Sequence, residues 1–112
     1  MPLHTSNLLI LLPAFNEGEV IQKVIFAITE AGYPNICVIN DGSTDQTLQN
    51  AQAAGVIVLT HLINRGAGAA IQTGMAYARK HHYEYVLMMD SDGRGLYDNV
   101  SVWRGASASI RS

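Results

Sequence analysis

The chain has 112 residues, of which 48% are hydrophobic and only 14% charged, enough apolar content for one compact core and too little charge for a disordered chain. Seven Lys and Arg against nine Asp and Glu leave a net charge of -2, which gives no bulk attraction for nucleic acid or an anionic membrane, so any anionic ligand must be held locally. The single cysteine, Cys37, excludes an internal disulfide and, lying inside an apolar run, reads as a small core residue.

The first element predicted is a strand over Leu8 to Leu12 (LLILL). It is far too short to span a bilayer and lacks the basic flank and cleavage site of a signal peptide, so a cytoplasmic location, at most peripheral to a membrane, is expected. Val20, Ile21, Val24, Ile25 and Ile28 then recur at helical spacing, and Gly32 with Pro34 supplies a stop. A second strand follows at ICVIN (Ile36 to Asn40). The next helix is short, with Ser43 or Thr44 as its expected cap, Leu48, Ala51 and Ala54 facing inward, and Gly55 closing it. A third strand is predicted at VIVLT (Val56 to Thr60). The helix after it carries a stripe of mostly small residues, Ala67, Ala70, Ile71, Gly74, Met75 and Ala78, suited to close packing on a sheet, and Arg79 and Lys80 suit its C-terminal end. The fourth strand is YVLMM (Tyr85 to Met89).

All four strand runs are continuously apolar, as strands buried on both faces of a parallel sheet require. Alternating strand and helix with right-handed crossovers gives a Rossmann-like, three-layer α/β/α domain with a mostly parallel sheet over residues 1–94. Residues 95–112 show no clear period and read as an irregular tail, with Trp103 as an unplaced hydrophobic anchor.

Ligands of open parallel sheets bind beyond the carboxyl ends of the strands, and each run here ends in a polar cluster: PAFNE (Pro13 to Glu17), DGSTD (Asp41 to Asp45), HLINRGAG (His61 to Gly68) and DSDG (Asp90 to Gly93). Taken singly, each has an ordinary structural reading: Pro13 ends a strand, Asn16 caps a helix, Asp41 and Gly42 make a turn, and Gly66 and Gly68 relieve a tight loop. Together they suit a nucleotide with a diphosphate. Glu17 and Asp41 offer acceptors to a base N–H or to ribose hydroxyls. The Asp90 and Asp92 pair at the end of a core strand would repel without a cation between them, and suits Mg²⁺ or Mn²⁺, which take one or two carboxylates and complete their shell with water and phosphate oxygens. Arg65 and the backbone around Gly66 and Gly68 add positive character toward phosphate. Phe15 is placed to bring an aromatic face near a base. The four histidines have no metal-ligand spacing on one helix face and read as surface or capping residues. Met75, Met88 and Met89 read as core filler.

The ordered set LLPAFNE, VINDGSTDQT, NRGAGAAIQTG and MMDSDG, spanning about Leu8 to Gly93, resembles the family 2 glycosyltransferases of the GT-A fold, most of all their dolichol-phosphate mannosyltransferase and polyprenyl-phosphate glycosyltransferase branch. The resemblance implies that Pro13, Ala14, Asn16 and Glu17 line a nucleoside pocket, that Asp41 contacts the base, that Asp90 faces the nucleotide sugar and that Asp92 is the direct metal ligand. It implies an inverting transfer from a UDP- or GDP-linked sugar to an acceptor such as a polyprenyl phosphate. After DSDG the chain departs from the family's usual continuation, and no catalytic base stands in the expected place. The expectation is therefore a nucleotide-binding half, produced by truncation or a frame-shifted tail and inactive alone. Missing further strands, it is also expected to leave the edge of the fourth strand open to pairing with another copy.

Two rival readings remain on the residues alone. DSDG also resembles the motif of haloacid-dehalogenase-type phosphatases, with Asp90 as nucleophile, although that motif usually lies on the first strand. The other is a binding module or fragment without catalysis. A dinucleotide fingerprint is excluded by Ile71, which stands in GAGAAI where a small third residue is needed.

Overall fold

The computed structural model of the protein describes residues 7–89 and 101–104. Its elements run β1 (Leu8–Ala14), α1 (Ile21–Glu30), β2 (Ile36–Asp41), α2 (Thr47–Ala53), β3 (Ile57–His61), α3 (Ala67–Lys80), β4 (Tyr85–Met88) and β5 (Ser101–Arg104). The sheet order is β3-β2-β1-β4-β5. β1 pairs in parallel with both β2 and β4, β2 pairs in parallel with β3, and β5 lies antiparallel to β4.

β1 lies at the centre because it is apolar on both sides, and its alternation divides the core in two. Leu8, Ile10, Leu12 and Ala14 face a layer containing Ile21, Val24, Ile25 and Ile28 of α1 and Ala51 of α2. Leu9 and Leu11 face the other way, against Ala70, Met75 and Ala78 of α3 together with Cys37 and Ile39 of β2. The period of two along the strand thus meets helices on both faces, giving the three-layer α/β/α arrangement. Cys37 is fully buried, and that burial pushes its thiol up to about 12, so it serves the core.

α3 packs tightly on the sheet at Gly74. A Cβ at that position would lie 2.6 Å from Cδ1 of Leu11, itself completely buried. α1 ends where the periodicity places its stop: Gly32 adopts φ +102°, the N–H of Tyr33 donates to the Ile28 carbonyl and that of Gly32 to Thr29. This is a Schellman ending, which needs the left-handed conformation glycine adopts without steric cost.

The structure corrects three expectations. β3 is not buried on both faces: it is an edge strand, and Ile57 is 46% exposed. Composition alone does not separate such a strand from a central one. The 95–112 segment is not irregular throughout, because Ser101–Arg104 pairs antiparallel with β4, setting Trp103 opposite Val86. β5 thereby covers the edge of β4 that was expected to be open. Backbone pairing with a strand already in place lets a four-residue segment hold a strand geometry that its own pattern does not announce.

Candidate nucleotide site

The carboxyl ends of β1, β2 and β4 and the N-terminal end of α3 enclose an open cavity of about 500 Å³. Pro13, Ala14, Phe15 and Glu17 border it from β1 and the loop beyond, Asp41 from β2, Asn64 and Gly66 from the β3–α3 loop, Ala67, Ala70 and Ile71 from α3, and Met88 and Met89 from β4. Its size lies in the ordinary range for a small-molecule site, roughly 300 to 1,000 Å³. The position follows from topology: α1 and α2 cover one face and α3 the other, so the connections diverge around β1 and leave a crevice at the strand ends.

Asp41 is the most constrained polar group there. It is 5% exposed. Its Oδ1 accepts hydrogen bonds from Nδ1 of His61 at 2.7 Å and from the N–H of Arg65 at 2.9 Å, and its Oδ2 accepts one from the N–H of Gly66 at 2.8 Å. Burial pushes the carboxyl upward, but the donors from Arg65, His61 and Gly66 outweigh it and hold Asp41 below the ordinary carboxylate range. Gly42, next in sequence, adopts φ +75°, and a Cβ there would stand 2.5 Å from the backbone nitrogen of Asn64. No other residue fits that approach. The DG pair therefore fixes the β3–α3 loop, and with it the first turn of α3, against the end of β2.

The two preceding loops are stitched to each other. Asn16, at φ 55°, donates its N–H to Oγ of Ser43 and accepts from the N–H of Thr44 through its side-chain oxygen. Glu17 donates its N–H to Oγ1 of Thr47, and Gly18 donates to Oδ2 of Asp45. The other oxygen of Asp45 accepts from both the N–H and the hydroxyl of Thr47. The side chain of Asn50 donates to the Gly18 carbonyl at 2.8 Å. Ser43 and Thr44, expected to cap α2, instead bind Asn16. The N–H of Thr47 is taken by Asp45, because the loop must turn toward β1 before the helix begins. Hydrogen bonds, those from Thr47 foremost, hold the Asp45 carboxyl below its ordinary range despite the opposing effect of burial.

Of the residues singled out from sequence, Pro13, Ala14, Glu17 and Asp41 border the cavity together, as does Phe15, 44% exposed. Asn16 does not: it faces a smaller depression of about 240 Å³ shared with Glu17, Glu19, Val20 and Asp45, and its amide serves the loops. Arg65 enters through its backbone N–H, while Gly68 is exposed on α3 away from the cavity lining. Met88 and Met89, read as core filler, line the wall. His61 departs most from expectation, being 7% exposed and bonded to Asp41. No spacing in the sequence distinguishes it. Asp45 and Thr47 were likewise missed, although the S/T/D-rich run of DGSTDQT signals a densely bonded turn.

Asp90 and Asp92 lie outside the described residues. The residue before them, Met89, borders the cavity and donates its N–H to the Leu11 carbonyl at 3.1 Å. Among the described residues no group of three or more His, Cys, Asp or Glu is arranged to hold a metal ion. Asp41 in particular has spent most of its acceptor capacity on protein donors. The described residues thus do not by themselves form a metal site. What they present is acceptors, Glu17 and Asp41, beside the N-terminal end of the fourteen-residue helix α3, whose dipole favours a negative group.

Comparison with known proteins gives this arrangement a context. Glycosyltransferase AglJ of Haloferax volcanii is 38% identical over 84 residues, covering 75% of this chain and 27% of that protein. A UDP-N-acetylglucosamine–dolichyl-phosphate N-acetylglucosaminyltransferase of Methanococcus voltae is 26% identical over 109 residues, covering 82% of this chain and 43% of its own length. Among solved structures, glucosyl-3-phosphoglycerate synthase from Mycobacterium tuberculosis, in complex with Mn²⁺, UDP-glucose and phosphoglyceric acid, superposes with a TM-score of 0.64 at 28% identity. That match covers 75% of this chain and 32% of the synthase. The chain spans less than half the length of each of these proteins. The α/β architecture is that of the GT-A glycosyltransferases. The family model for glycosyl transferase family 2 matches residues 9–98, the stretch that contains every strand end bordering the cavity, and the chain belongs to that family.

Proposed function

We propose that the chain forms the donor site of a sugar transferase, binding a nucleoside diphosphate sugar with its base and ribose near Asp41 and Glu17 and its diphosphate toward the start of α3. The observation that carries this is the cavity itself, which gathers the held carboxylate of Asp41, the rim residue Glu17 and the N-terminal end of α3 in one crevice. Asp90 and Asp92 are the proposed holders of Mg²⁺ or Mn²⁺, which when bound would neutralise charge on the diphosphate. The Mn²⁺ in the related synthase and the place of Met89 on the cavity wall support this.

The nucleotide we favour is UDP. A carboxylate has about four acceptor positions, and among the described residues Asp41 already receives hydrogen bonds from His61, Arg65 and Gly66. One position is left, on Oδ2, which suits the single imide N–H of uracil and not the paired N–H donors of guanine. The relative named for UDP-N-acetylglucosamine and the synthase solved in complex with UDP-glucose support the same choice.

The proposed acceptor is a polyprenyl phosphate, supported by the dolichyl-phosphate relative, and the proposed location is cytoplasmic, at the membrane face where such an acceptor lies. No helix among the described residues is long and apolar enough to cross a membrane. We further propose that transfer needs an acceptor site which the described residues do not form, so that the chain alone binds donor without transferring sugar. With β4 covered, self-association through a sheet edge is proposed at β3, where Ile57 is exposed; concentration-dependent light scattering reads it. Calorimetric titration with UDP, UDP-glucose and GDP, each with and without Mn²⁺ or Mg²⁺, tests the donor site. Metal-dependent uptake of UDP at least about tenfold tighter than GDP is expected, the difference set by one unpaired polar group. Absence of any nucleotide uptake overturns the reading, and sugar transfer by the isolated chain overturns its acceptor clause.

A further inference from the structure

We infer that His61 is a positioning residue for donor binding: by donating from Nδ1 to Asp41, while Nε2 accepts the hydroxyl proton of Thr73, it fills Oδ1 and leaves to a ligand the one acceptor position of Asp41, on Oδ2, that no described residue takes. The inference rests on the donor-site reading above and names the residue on which that site's orientation depends.

The geometry is a three-part chain. Nδ1 of His61 lies 2.7 Å from Oδ1 of Asp41, and Nε2 lies 2.7 Å from Oγ1 of Thr73 on α3. Asp41 already takes the backbone N–H groups of Arg65 and Gly66 as a pure acceptor, so it has no proton to give and the ring must supply the one between them. In a neutral ring, Nε2 is then the acceptor and Thr73 the donor. This is the less common tautomer, held here because both ring nitrogens meet fixed partners. Register explains the meeting. Asp41 and His61 are direct partners across β2 and β3, and the chain returns over the sheet as α3 to bring Thr73 to the far side of the ring.

What His61 controls is which acceptor position of the carboxylate stays open. The backbone donors of Arg65 and Gly66 take one oxygen each and leave one position on each oxygen. A third donor on Oδ1, from the neighbouring strand, fills the second position there and leaves that of Oδ2, on a residue that borders the cavity. His61 is not among the residues bordering the cavity, so it acts through Asp41 and not on the ligand.

The test separates the hydrogen bond from the bulk of the ring. In His61→Asn the side-chain amide nitrogen stands where Nδ1 stands, so the donor to Asp41 is kept, whereas His61→Leu keeps apolar volume and loses it. Metal-dependent UDP affinity is measured by calorimetry on the full chain, with thermal melting of each variant alongside. The expected result is H61N within about threefold of the wild type and H61L weaker by about tenfold or more, the effect of losing one charge-assisted hydrogen bond. Equal affinities in both variants, whether both kept or both lost, overturn the proposal. Nitrogen-15 shifts of the His61 ring in the unmutated chain give a second reading that needs no folded variant. A neutral ring protonated at Nδ1 supports the proposal, and one protonated at Nε2 alone overturns it. A wild type that takes up no nucleoside diphosphate overturns the donor-site reading and this proposal with it, whereas a wild type and an H61L variant that bind equally overturn this proposal alone.

Discussion

The backbone N–H of Glu17 donates to the hydroxyl of Thr47 at 2.9 Å, joining the loop after β1 to the first turn of α2 across thirty positions of sequence. Thr47 is completely buried, and its hydroxyl proton goes to Asp45. One small side chain thus serves two loops, and Glu17 reaches the cavity rim from a backbone that Thr47 holds.

Replacing Thr47 by Val keeps shape and removes both hydrogen bonds. The N–H of Glu17 then loses its acceptor in a part-buried place, and a loss of about 1–3 kcal/mol is expected. Urea denaturation of T47V against wild type measures it. Thr47→Ser, which keeps the hydroxyl, should recover the greater part.

Asp41→Asn exchanges an acceptor-only group for one whose amide nitrogen must face a donor. Either Gly66 or the Arg65 and His61 pair then meets N–H against N–H. Stability should fall by about 2–3 kcal/mol, the range for buried hydrogen bonds to a charged group. Nucleotide affinity should fall by at least about tenfold, read by chemical denaturation and calorimetry together.

Acid should weaken the fold through the same carboxylates. Asp41 and Asp45 are both held below the ordinary value in the folded chain, and the unfolded value is about 3.9. Between those limits the unfolded chain binds more protons, so the stabilisation is fully present above about pH 4 and drains as pH falls through the folded values. Urea midpoints measured from pH 6 down to pH 2.5 should be level at first and then drop. The drop should be shallower in Asp45→Asn, and a midpoint unchanged down to pH 2.5 contradicts the assignment.

Gly74 and Leu11 form a pair suited to a double-mutant cycle. Gly74→Ala improves helix propensity by roughly 0.5–1 kcal/mol, yet drives a methyl to 2.6 Å from a buried Leu11 terminus, and overpacking costs about 1–3 kcal/mol. The single variant should be less stable than wild type. With Leu11→Val alongside, the two changes should sum to less than their separate costs, giving a coupling of about 0.5–3 kcal/mol in thermal melts.

Much of the frame was readable before any coordinates. β1 and β2 announce themselves as continuous apolar runs, α1 shows its buried face through Val24, Ile25 and Ile28, and its stop at Gly32 is where the left-handed residue stands. Family resemblance rested on strand-end clusters, and the three that fall among the described residues do converge. What sequence could not show depends on which strand neighbours which. Ile57 looks like a core residue until β3 proves to be an edge. The strand Ser101–Arg104 exists through pairing with β4, and its four residues carry no period of their own. The tasks of Asp45, Thr47 and His61 are set by partners distant in sequence, so residue type told only that they are polar. Asn16, which the family resemblance sets on a nucleoside pocket, also has a structural task that its motif does not show: its side-chain oxygen accepts from the N–H of Thr44.

The stitching of Asn16, Gly18 and Glu17 to Ser43, Asp45 and Thr47 has a kinetic consequence. A rim already tied together when the domain folds has no segment left to order as a ligand arrives. On this side of the crevice, capture of a nucleotide is then governed by encounter and orientation, and differences in affinity among ligands or variants should surface chiefly as differences in how fast they leave.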